Sequence, residues 1–538
     1  MNGPTGVSAH VDTFCRDNLP PQEQWPEFIW EMPELDYPAQ INAGAELLDA
    51  GIARGWGERP CVSDATGDVA WTYNELRQWA DRFARHLVHR RGLVPGNRVL
   101  IHSFNNPWMV AAWFGVIRAG GVAVSVMPLL RSRELRTIID KAQIQFALCD
   151  GRLRHEDELA VAGEFPLDSW GPSDSPDLAA ELADDDEPFT PVATAADDVA
   201  MLAFTSGTTG QPKAAAHFHR EILAATDTNN ALLQPTADDI FCGSPPLAFT
   251  YGLGGLLLFP LRVGASTVLT ETPGPALLEA IARHRCTFCF TAPTAYRAML
   301  DGIEDLDLSS LRQCMSAGET LPRSTWEAFH EATGLKLVDG IGSTEMLHVF
   351  ISAVGDDIRP GATGRPIPGY RVEVLDDSGA PTPVGEVGRL AVKGPTGCLY
   401  LADERQSVYV ENGWNVTGDA YSKDEDGYFH FHARADDMII SAGYNIAAPE
   451  VEESVMNHPA VLECAVVGVP DEARTSIVKA YVVLKEGYEA GDAMATEIKN
   501  HVKADIAPYK YPRAVEFLDA LPRTGTGKVQ RFKLRERG

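Results

Sequence analysis

Along the first part of the chain, short apolar runs alternate with segments in which apolar residues recur at helical spacing. Short apolar runs at residues 98–103, 122–126 and 199–204 have the length of buried strands. Between such runs, residues 80–90 and 107–119 show the spacing expected of helices. Because strands that alternate with helices build layered sheets, the pattern predicts an α/β fold.

The pattern changes twice in the second half of the chain. Residues 370–432 are richer in short strands and turns, which predicts a β-rich subdomain. After about residue 436 two helices and three strands are predicted, one helix beginning near Pro449. We therefore predict a large N-terminal body of several subdomains with layered sheets (residues 1–435) and a small C-terminal α+β domain (residues 436–538).

The amino-acid composition and the net charge limit which classes of molecule are expected to bind this protein. The 538 residues include 46 Lys and Arg against 75 Asp and Glu, a net charge of −29. Nucleic acids and anionic membranes select basic surfaces, so neither is expected as a partner. The acidic composition does not exclude binding of a nucleotide, because a few local dipoles and one Lys can hold phosphates. The acidic residues 151–198 predict a solvated surface excursion rather than a binding segment.

The cysteines and the N-terminal residues predict a cytoplasmic protein. The nine cysteines are scattered, and the first residues lack a basic segment followed by an apolar one. The apolar run at residues 251–261 is too short to span a membrane. Cys286 and Cys289 have CxxC spacing but lie in an apolar run, which favours core cysteines over a metal or redox site.

A loop rich in glycine and hydroxyl groups follows the predicted strand at 199–204. It reads TSGTTGQPK and precedes a predicted helix at about 217–232. Glycines let backbone amides approach an anion, and hydroxyls and a lysine add donors. The loop predicts a polyphosphate cradle formed by Thr205, Ser206, Gly207, Thr208, Thr209, Gly210 and Lys213. It is not the P-loop of nucleotide hydrolases, because Ala214 follows the lysine. His217 and His219 are expected to be surface or core residues.

TSGTTGQPK resembles the signature of the acyl-adenylate-forming superfamily. That group includes acyl-CoA synthetases, adenylation domains of peptide synthetases and luciferases. Further signatures follow in order, so the resemblance covers nearly the whole chain. It implies ATP, Mg²⁺ and coenzyme A as cofactor and co-substrates, and a mobile C-terminal lid.

The resemblance also implies roles for single residues. In DGIGSTE (residues 339–345), Thr344 contacts the α-phosphate and Glu345 helps to hold magnesium. In WNVTGD (residues 414–419), the Asp419 carboxylate binds the ribose hydroxyls, and Arg434 binds on the ribose and phosphate side. Lys528, in PRTGTGK, is the catalytic lysine that bridges the attacking carboxylate and the α-phosphate. Further ATP-binding positions are Gly318, Glu319, Asp339, Gly340 and Ile341.

Other matched positions concern the motion of the lid and the thiol. Asp436 matches the hinge, and Gly443 and Tyr444 match the coenzyme A tunnel. Ile341 replaces the common aromatic residue that stacks on adenine, so apolar packing must hold the base.

The segment at residues 244–254 resembles the acyl pocket of benzoate-type CoA ligases, most of all 2-aminobenzoate–CoA ligases. Residues 243–269 contain no acid that could pair with an α-ammonium group, which counts against an α-amino acid. The predicted pocket residues are Phe249, Thr250, Tyr251, Gly252, Ser316, Ala317 and His348.

Together these features predict an ATP-dependent ligase that converts an aryl carboxylate, best guess 2-aminobenzoate or a related benzoate, to its coenzyme A thioester. Three alternatives stay open: loading of a carrier protein, a medium-chain acyl-CoA synthetase, and an idle binding protein. The predicted partners are small molecules only, and a homodimer stays open.

Overall fold

The structure is a computed structural model that describes residues 6–172, 176–205, 212–271, 274–434, 438–441, 444–471, 475–506, 510–523 and 529–537. The chain forms two compact units. The first contains Met1–Val372 and Val392–Asn415, and the second contains Glu373–Ala391 and Val416–Gly538. The boundary predicted between residues 435 and 436 lies outside the described residues and stays a prediction.

The secondary structure elements are numbered in chain order. The strands are β1 (Pro60–Asp64), β2 (Ala70–Thr72), β3 (Arg98–His102), β4 (Val122–Val126), β5 (Phe146–Asp150), β6 (Leu167–Trp170), β7 (Val199–Thr205), β8 (Lys213–Phe218), β9 (Ile240–Gly243), β10 (Ser266–Leu269), β11 (Phe288–Thr291), β12 (Gln313–Ser316), β13 (Leu337–Gly342), β14 (Val349–Ser352), β15 (Arg365–Pro366), β16 (Arg371–Leu375), β17 (Gly388–Lys393), β18 (Val410–Glu411), β19 (Trp414–Lys423), β20 (Phe429–Arg434), β21 (Met438–Ser441), β22 (Tyr444–Ala447), β23 (Val461–Asp471), β24 (Thr475–Leu484) and β25 (Ala514–Phe517). The α-helices are α1 (Phe14–Asp17), α2 (Ala43–Gly51), α3 (Tyr73–Arg85), α4 (Pro107–Arg118), α5 (Ser132–Ala142), α6 (Arg154–Val161), α7 (Leu178–Leu182), α8 (His219–Leu233), α9 (Thr250–Leu253), α10 (Phe259–Val263), α11 (Pro275–His284), α12 (Pro293–Met299), α13 (Arg323–Thr333), α14 (Gln406–Tyr409), α15 (Ala448–Met456), α16 (Asp492–Asp505) and α17 (Arg531–Arg535). Short 3₁₀ turns lie at Gln22–Gln24, Pro33–Leu35, Gly151–Leu153, Leu300–Asp305 and Gly355–Asp357, and π-helical turns at Ile52–Trp56, His86–Arg90 and Gly254–Leu258.

One sheet of the first unit has the strand order β6-β5-β3-β4-β7-β8. Its strands are parallel except β8, which runs antiparallel to β7. Helix α4 packs into its core and begins where Asn106 caps it, the side-chain oxygen accepting from the Met109 amide at 2.9 Å. The proline at the first helical position needs no backbone donor. These local signals explain why strand and helix here were predictable from the sequence.

A second sheet of the first unit has the order β15-β14-β13-β12-β11-β9-β10-β1-β2. The strands from β13 to β1 are parallel, so their carboxyl ends lie along one edge. At this edge Thr291 is opposite Ser316, and Ser316 is opposite Asp339. Ligands of parallel sheets bind outside the carboxyl ends of the strands, so this register brings predicted site residues together.

The second unit contains residues 373–391, most of β19 and the strands and helices that follow it. Here β19 pairs with β20 in antiparallel register, and Asp419 lies opposite Arg434. Strands β21 and β22 pair in antiparallel register. Strand β24 pairs antiparallel with β23 and parallel with β25, and helices α15 and α16 pack together beside them.

Two predictions of local structure were wrong. Strand β8 was not predicted, because the glycine-rich loop was expected to be followed directly by a helix; the helix predicted at about 217–232 is present as α8 and begins at His219. Residues 151–198 are not simply a solvated excursion, because β6 joins the sheet and Trp170 is buried. The most acidic part of this segment is also bound to helix α3, since Arg82 donates to the Asp186 carboxylate at 2.7 Å.

None of the helices among the described residues has both the length and the apolar character needed to cross a membrane. Among the same residues, no group of three or more His, Cys, Asp or Glu side chains is arranged to hold a metal ion. Cys286 and Cys289 are both fully buried in the core, the second of them in β11.

Candidate active site

Strand β8 places Lys213 beside a tyrosine that is distant in sequence. On one side β8 pairs with β7, so that Lys213 lies opposite Thr205. On its other side Ala215 forms a bridge with Tyr400, and the Leu401 amide donates to the Ala214 carbonyl at 2.9 Å. The antiparallel register brings the side chains of Lys213 and Tyr400 together.

Lys213, Tyr400 and Glu345 form one hydrogen-bonded cluster. The Lys213 Nζ donates to the Tyr400 hydroxyl at 2.7 Å, and that hydroxyl donates to the Glu345 carboxylate. The Lys213 Nζ and Glu345 Oε1 are 3.8 Å apart. The lysine Nζ also lies 4.7 Å from the centre of the Tyr400 ring, within reach of a cation–π attraction. The Tyr400 side chain is buried, and its hydroxyl links the two opposite charges.

A buried histidine fixes the main chain next to Glu345. His217 of β8 donates from Nε2 to the Thr344 carbonyl at 2.8 Å. Its other ring nitrogen faces Glu221, whose carboxylate accepts from the Phe218 amide at 2.9 Å and the Gly397 amide at 3.0 Å. The network therefore joins strand β8, the turn that carries Thr344, and the segment before Tyr400.

The turn that carries Thr344 and Glu345 is tightly constrained. Leu347 has a φ of +65°, which is unusual for a leucine, while its side chain is fully buried. The Leu347 amide donates to the Thr344 carbonyl at 3.1 Å, and the Met346 amide donates to the Ser343 hydroxyl at 3.2 Å. Such a backbone conformation persists only where surrounding packing enforces it, so the direction of Glu345 is set by the core.

The carboxyl edge of the large sheet supplies further predicted positions. Ser316 is fully buried, and its hydroxyl finds no hydrogen-bond partner among the described residues. Asp339, one strand along, is half-buried, and burial raises the pKa of its carboxyl to about 7. Gly318 and Glu319 lie exposed in the turn after β12, where Gly318 has a φ of +89°. Gly340 and Ile341 continue β13 beyond Asp339, where β13 pairs antiparallel with β14.

An aromatic wall lies near this edge. The Tyr251 hydroxyl donates to the Met315 carbonyl at 3.1 Å. The His348 ring lies 5.4 Å from that of Tyr251 and 4.5 Å from that of Phe259, measured between centroids. Burial lowers the pKa of His348 to about 3, so the ring is neutral near pH 7. Its Nε2 is 3.3 Å from the Tyr251 carbonyl oxygen, and its Nδ1 is 3.3 Å from the Asn229 side-chain oxygen.

The other predicted pocket residues lie in or beside helix α9 and just after β12. Phe249 caps it and is half-buried, Thr250 is its first residue and is buried, and Ala317 lies buried just after β12. A Cβ at Gly252 would lie 2.2 Å from the Pro246 carbonyl oxygen, so no larger residue fits there. The segment can fold against the sheet only because glycine stands at this point.

The second unit carries the predicted ribose pair. Arg434 donates from Nη1 to the Asp419 carboxylate at 2.9 Å and to the Thr417 carbonyl at 3.3 Å. The Asp419 side chain is 9% exposed and that of Arg434 is 46% exposed. The arginine therefore keeps much of its surface in solvent, while the carboxylate is nearly covered.

Comparison with known proteins places these residues in a family. A family model described as AMP-binding enzyme matches residues 51–399, and its C-terminal domain model matches residues 450–528. The chain belongs to the AMP-binding enzyme family. The resemblance and the α/β fold class predicted from the sequence are thereby confirmed.

Several relatives of this AMP-binding enzyme match along nearly their whole length. A benzoate–CoA ligase of Thauera aromatica is 36% identical over 523 residues, which cover 94% of this chain and 97% of the relative. A crystal structure of the anthranilate CoA ligase AuaEII in complex with anthranoyl-AMP has a TM-score of 0.86 and 33% identity, covering 94% of this chain and 99% of the other. A benzoate CoA ligase from Burkholderia xenovorans LB400 has a TM-score of 0.82 and 33% identity, with 92% and 100% covered.

Part of the predicted site lies outside the described residues of the AMP-binding enzyme. This applies to Ser206, Gly207, Thr208, Thr209 and Gly210 of the loop, to the predicted hinge residue Asp436, to Gly443, and to the predicted catalytic residue Lys528. Tyr444 is described as part of β22, but its side chain is not. The roles implied for these residues stay predictions.

Sequence reasoning missed Tyr400, and it did not foresee the contact of His217 with Thr344. Tyr400 lies 187 positions from Lys213, and no motif links the two. Only the register of β8 with the segment around Tyr400 brings them together. His217 could have been noticed from its place four residues after Lys213 on a strand, which puts both side chains on the same face.

Proposed function

We propose that this AMP-binding enzyme is an ATP-dependent ligase that joins an aryl carboxylic acid to coenzyme A through an acyl-adenylate. ATP and coenzyme A are the substrates of AMP-binding CoA ligases. The observation that carries the proposal is the pairing, within one compact unit, of a lysine–glutamate cluster with a neutral aromatic wall. A charged end suits polyphosphate, and an aromatic end suits a flat acid.

The reaction has two displacements. A carboxylate oxygen first attacks the α-phosphorus of ATP, and the bond from that phosphorus to the bridging oxygen breaks to release pyrophosphate. The thiol of coenzyme A then loses its proton and attacks the acyl carbon, and AMP leaves. In this scheme Lys213 and the loop from Thr205 bind the polyphosphate, and Thr344 contacts the α-phosphate. Positioning and charge stabilisation are the main contributions a protein makes to such a displacement.

Glu345 fits the role of magnesium ligand. Its carboxylate is almost buried beside Lys213 and held in place, and Mg²⁺ prefers hard carboxylate oxygens while sharing its coordination shell with phosphates. A site completed by phosphate oxygens needs no cluster of protein ligands. When bound, the ion would offset the negative charge that builds up on the phosphates.

The aromatic wall favours a benzoate-like acid. Tyr251 and Phe259 flank the neutral His348 ring, and their ring centres are separated from it by 5.4 and 4.5 Å. An α-amino acid would need a carboxylate to pair with its ammonium group, and residues 243–269 contain no acid. Our best candidate is 2-aminobenzoate or a related benzoate. A pocket that hydrogen-bonds a ring substituent can discriminate strongly against acids that lack it.

The remaining residue roles are part of the same proposal. Asp419 and Arg434 bind the ribose side of the nucleotide, and Lys528 bridges the carboxylate and the α-phosphate in the first step. Asp436 acts as the hinge between the two steps, and Gly443 and Tyr444 line the path of the thiol.

The proposal is tested by identifying the product. Purified protein is incubated with ATP, Mg²⁺, coenzyme A and one acid at a time from a panel of benzoate, 2-aminobenzoate, 2-hydroxybenzoate, cinnamate, hexanoate and an α-amino acid. We expect AMP and an aryl thioester, identified by mass, with one of the benzoates. Preference for hexanoate would contradict the aryl pocket, and AMP formation without a coenzyme A thioester would favour a carrier protein as acceptor.

A further inference from the structure

Tyr400 has no role among the predicted site residues, although its hydroxyl contacts two of them, Lys213 and Glu345. Its hydroxyl accepts a hydrogen bond from Lys213 at 2.7 Å and donates one to Glu345. The lysine nitrogen and the carboxylate oxygen are 3.8 Å apart, and the hydroxyl is hydrogen-bonded to both. Two opposite charges at that distance in a partly buried site attract each other strongly.

Hydrogen bonds of the Gln406 side chain hold the main chain around Tyr400 in position. Its backbone amide donates to the Gln406 side-chain oxygen at 2.8 Å, and the Gln406 side-chain nitrogen donates to the Cys398 carbonyl at 2.9 Å. Gln406 is 1% exposed. A buried amide bonded at both ends holds the segment around Tyr400 in place independently of any ligand.

We propose that Tyr400 is a positioning residue that keeps Lys213 and Glu345 apart and aimed at separate targets, the first at polyphosphate and the second at the metal ion. This inference rests on the proposed function. When the magnesium complex of ATP binds, the phosphates replace the tyrosine oxygen as partner of Lys213, and Glu345 gains the cation. The neutral hydroxyl can release both partners without leaving a charge behind, because it carries none itself.

Without the hydroxyl, the Lys213 ammonium and the Glu345 carboxylate should move into direct contact. In Tyr400→Phe the lysine and the carboxylate, which are 3.8 Å apart in the wild-type structure, would close to a directly hydrogen-bonded ion pair, which must break before ATP and the metal can bind. A hydrogen bond to a charged group contributes a free energy that corresponds to a change in affinity of roughly tenfold or more. We therefore expect about tenfold weaker binding of magnesium-bound ATP. AMP has no β- and γ-phosphates and needs neither Lys213 nor the metal, so its affinity should change less than about twofold.

Calorimetric titration of the full-length protein tests this inference. The ligands are a non-hydrolysable ATP analogue with Mg²⁺ and, separately, AMP. The matched control is Tyr73→Phe, which removes the hydroxyl of another buried tyrosine in the same unit, one that donates to the Ala265 carbonyl at 2.7 Å. Selective loss of ATP-analogue affinity in Tyr400→Phe alone supports a positioning role. Equal loss for AMP and the analogue, or no loss, would overturn it.

Two further arms separate positioning from a general defect. In a Lys213→Met background, Tyr400→Phe should weaken analogue binding by no more than about twofold, because its effect passes through the missing lysine. The rate of thioester formation from supplied acyl-adenylate and coenzyme A should be the same in Tyr400→Phe and wild type, since no pyrophosphate leaves in that step. A tenfold loss in either arm would contradict the proposal.

These arms also distinguish failure of the inference from failure of the proposed function. Wild-type protein that binds the ATP analogue but makes no aryl thioester would refute the function and leave the Tyr400 comparison valid. Wild-type protein that makes the thioester, with Tyr400→Phe binding the analogue normally, would refute only the role of Tyr400.

Discussion

The end of the candidate site that we assign to phosphate and the end that we assign to the acyl group are held by different kinds of contact. At the first end, Lys213 and Glu345 are both hydrogen-bonded to the Tyr400 hydroxyl, and 3.8 Å separates the lysine nitrogen from the carboxylate oxygen. At the acyl end, the Tyr251 hydroxyl is bound to a main-chain carbonyl and His348 packs, neutral, among aromatic rings. Partners of the first kind can be exchanged for ligand groups of like charge, whereas main-chain partners are permanent. The site thus combines an exchangeable set of charges with a fixed neutral frame.

Substitution of Glu345 tests the charged end with the largest expected effect. In Glu345→Gln the carboxylate that we assign to Mg²⁺ becomes neutral, so acid-dependent exchange of pyrophosphate into ATP should fall by about a hundredfold or more. The rate is measured across a range of Mg²⁺ concentrations. The matched control is Glu331→Gln, a substitution at an exposed position on α13. Exchange within about threefold of wild type would remove Glu345 from the mechanism.

A methyl group at Gly254 tests the fixed frame. A Cβ at this position would lie 2.4 Å from the His348 Cδ2 atom, so the imidazole must shift. Overpacking of this kind costs about 1–3 kcal/mol of unfolding free energy. In Gly254→Ala we expect a raised KM for the acid with an unchanged KM for ATP, measured together with denaturant unfolding.

The control for this substitution is Gly302→Ala, where the nearest atom to a new Cβ is Leu278 Cδ1 at 3.7 Å, an ordinary contact. It should leave both KM values and stability near those of wild type. A Gly254→Ala protein whose KM for ATP rises as much as that for the acid would show that the two ends are not independent.

The carboxyl of Asp339 predicts a pH dependence of stability. Its pKa is raised to about 7 in the folded protein from an ordinary value of 3.8, because burial disfavours the charged form. Between these two pH values the folded chain binds more protons at this group than the unfolded chain. The contribution of Asp339 to the unfolding free energy therefore falls as pH rises from about 4 to about 7.

The measurement is the denaturant midpoint of wild type and Asp339→Asn at several pH values from 5 to 8. Asparagine does not titrate, so the difference between the two proteins should shift in favour of the variant as pH rises to about 7 and then level off. Parallel curves across the range would show that Asp339 has an ordinary pKa.

The smallest effect is expected for Tyr251→Phe. After the hydroxyl is lost, the Met315 carbonyl still lies 2.9 Å from the Tyr296 hydroxyl, a donor that it shares with the Cys289 carbonyl at the same distance. Because this shared donor remains, we expect the unfolding free energy of the variant to fall by no more than about 1 kcal/mol. Denaturant unfolding measures this, and a loss of several kcal/mol would mean that the frame depends on this one hydroxyl.

Local patterns in the sequence explain how much of this architecture was predictable. The strand at β3, the helix α4 with its Asn106 cap and the strand β4 all follow from signals within a few residues. Strand β8 was missed because the small residues Ala214, Ala215 and Ala216 give no apolar–polar alternation, so no element was predicted between the loop and the helix at about residue 217. Periodicity cannot distinguish such a short buried strand from the start of a buried helix.

The candidate site was predictable only where a motif carries its own chemistry. Glu345 and Asp419 were named from short strings, and the structure places Glu345 beside Lys213. Tyr400 carries no such string, because its role depends on a pairing between segments that are far apart in the chain. Long-range register is set by the packing of whole sheets, which single residues do not reveal.

One measurement tests the central claim most directly: the exchange of labelled pyrophosphate into ATP by wild-type protein, with Mg²⁺ and without coenzyme A, in the presence of each acid in turn. The account predicts exchange that depends on a benzoate-type acid and is negligible with hexanoate or an α-amino acid. Exchange with none of the aryl acids, or equally with every acid, would contradict the assignment of a charged phosphate end and a neutral aromatic acyl end to this site.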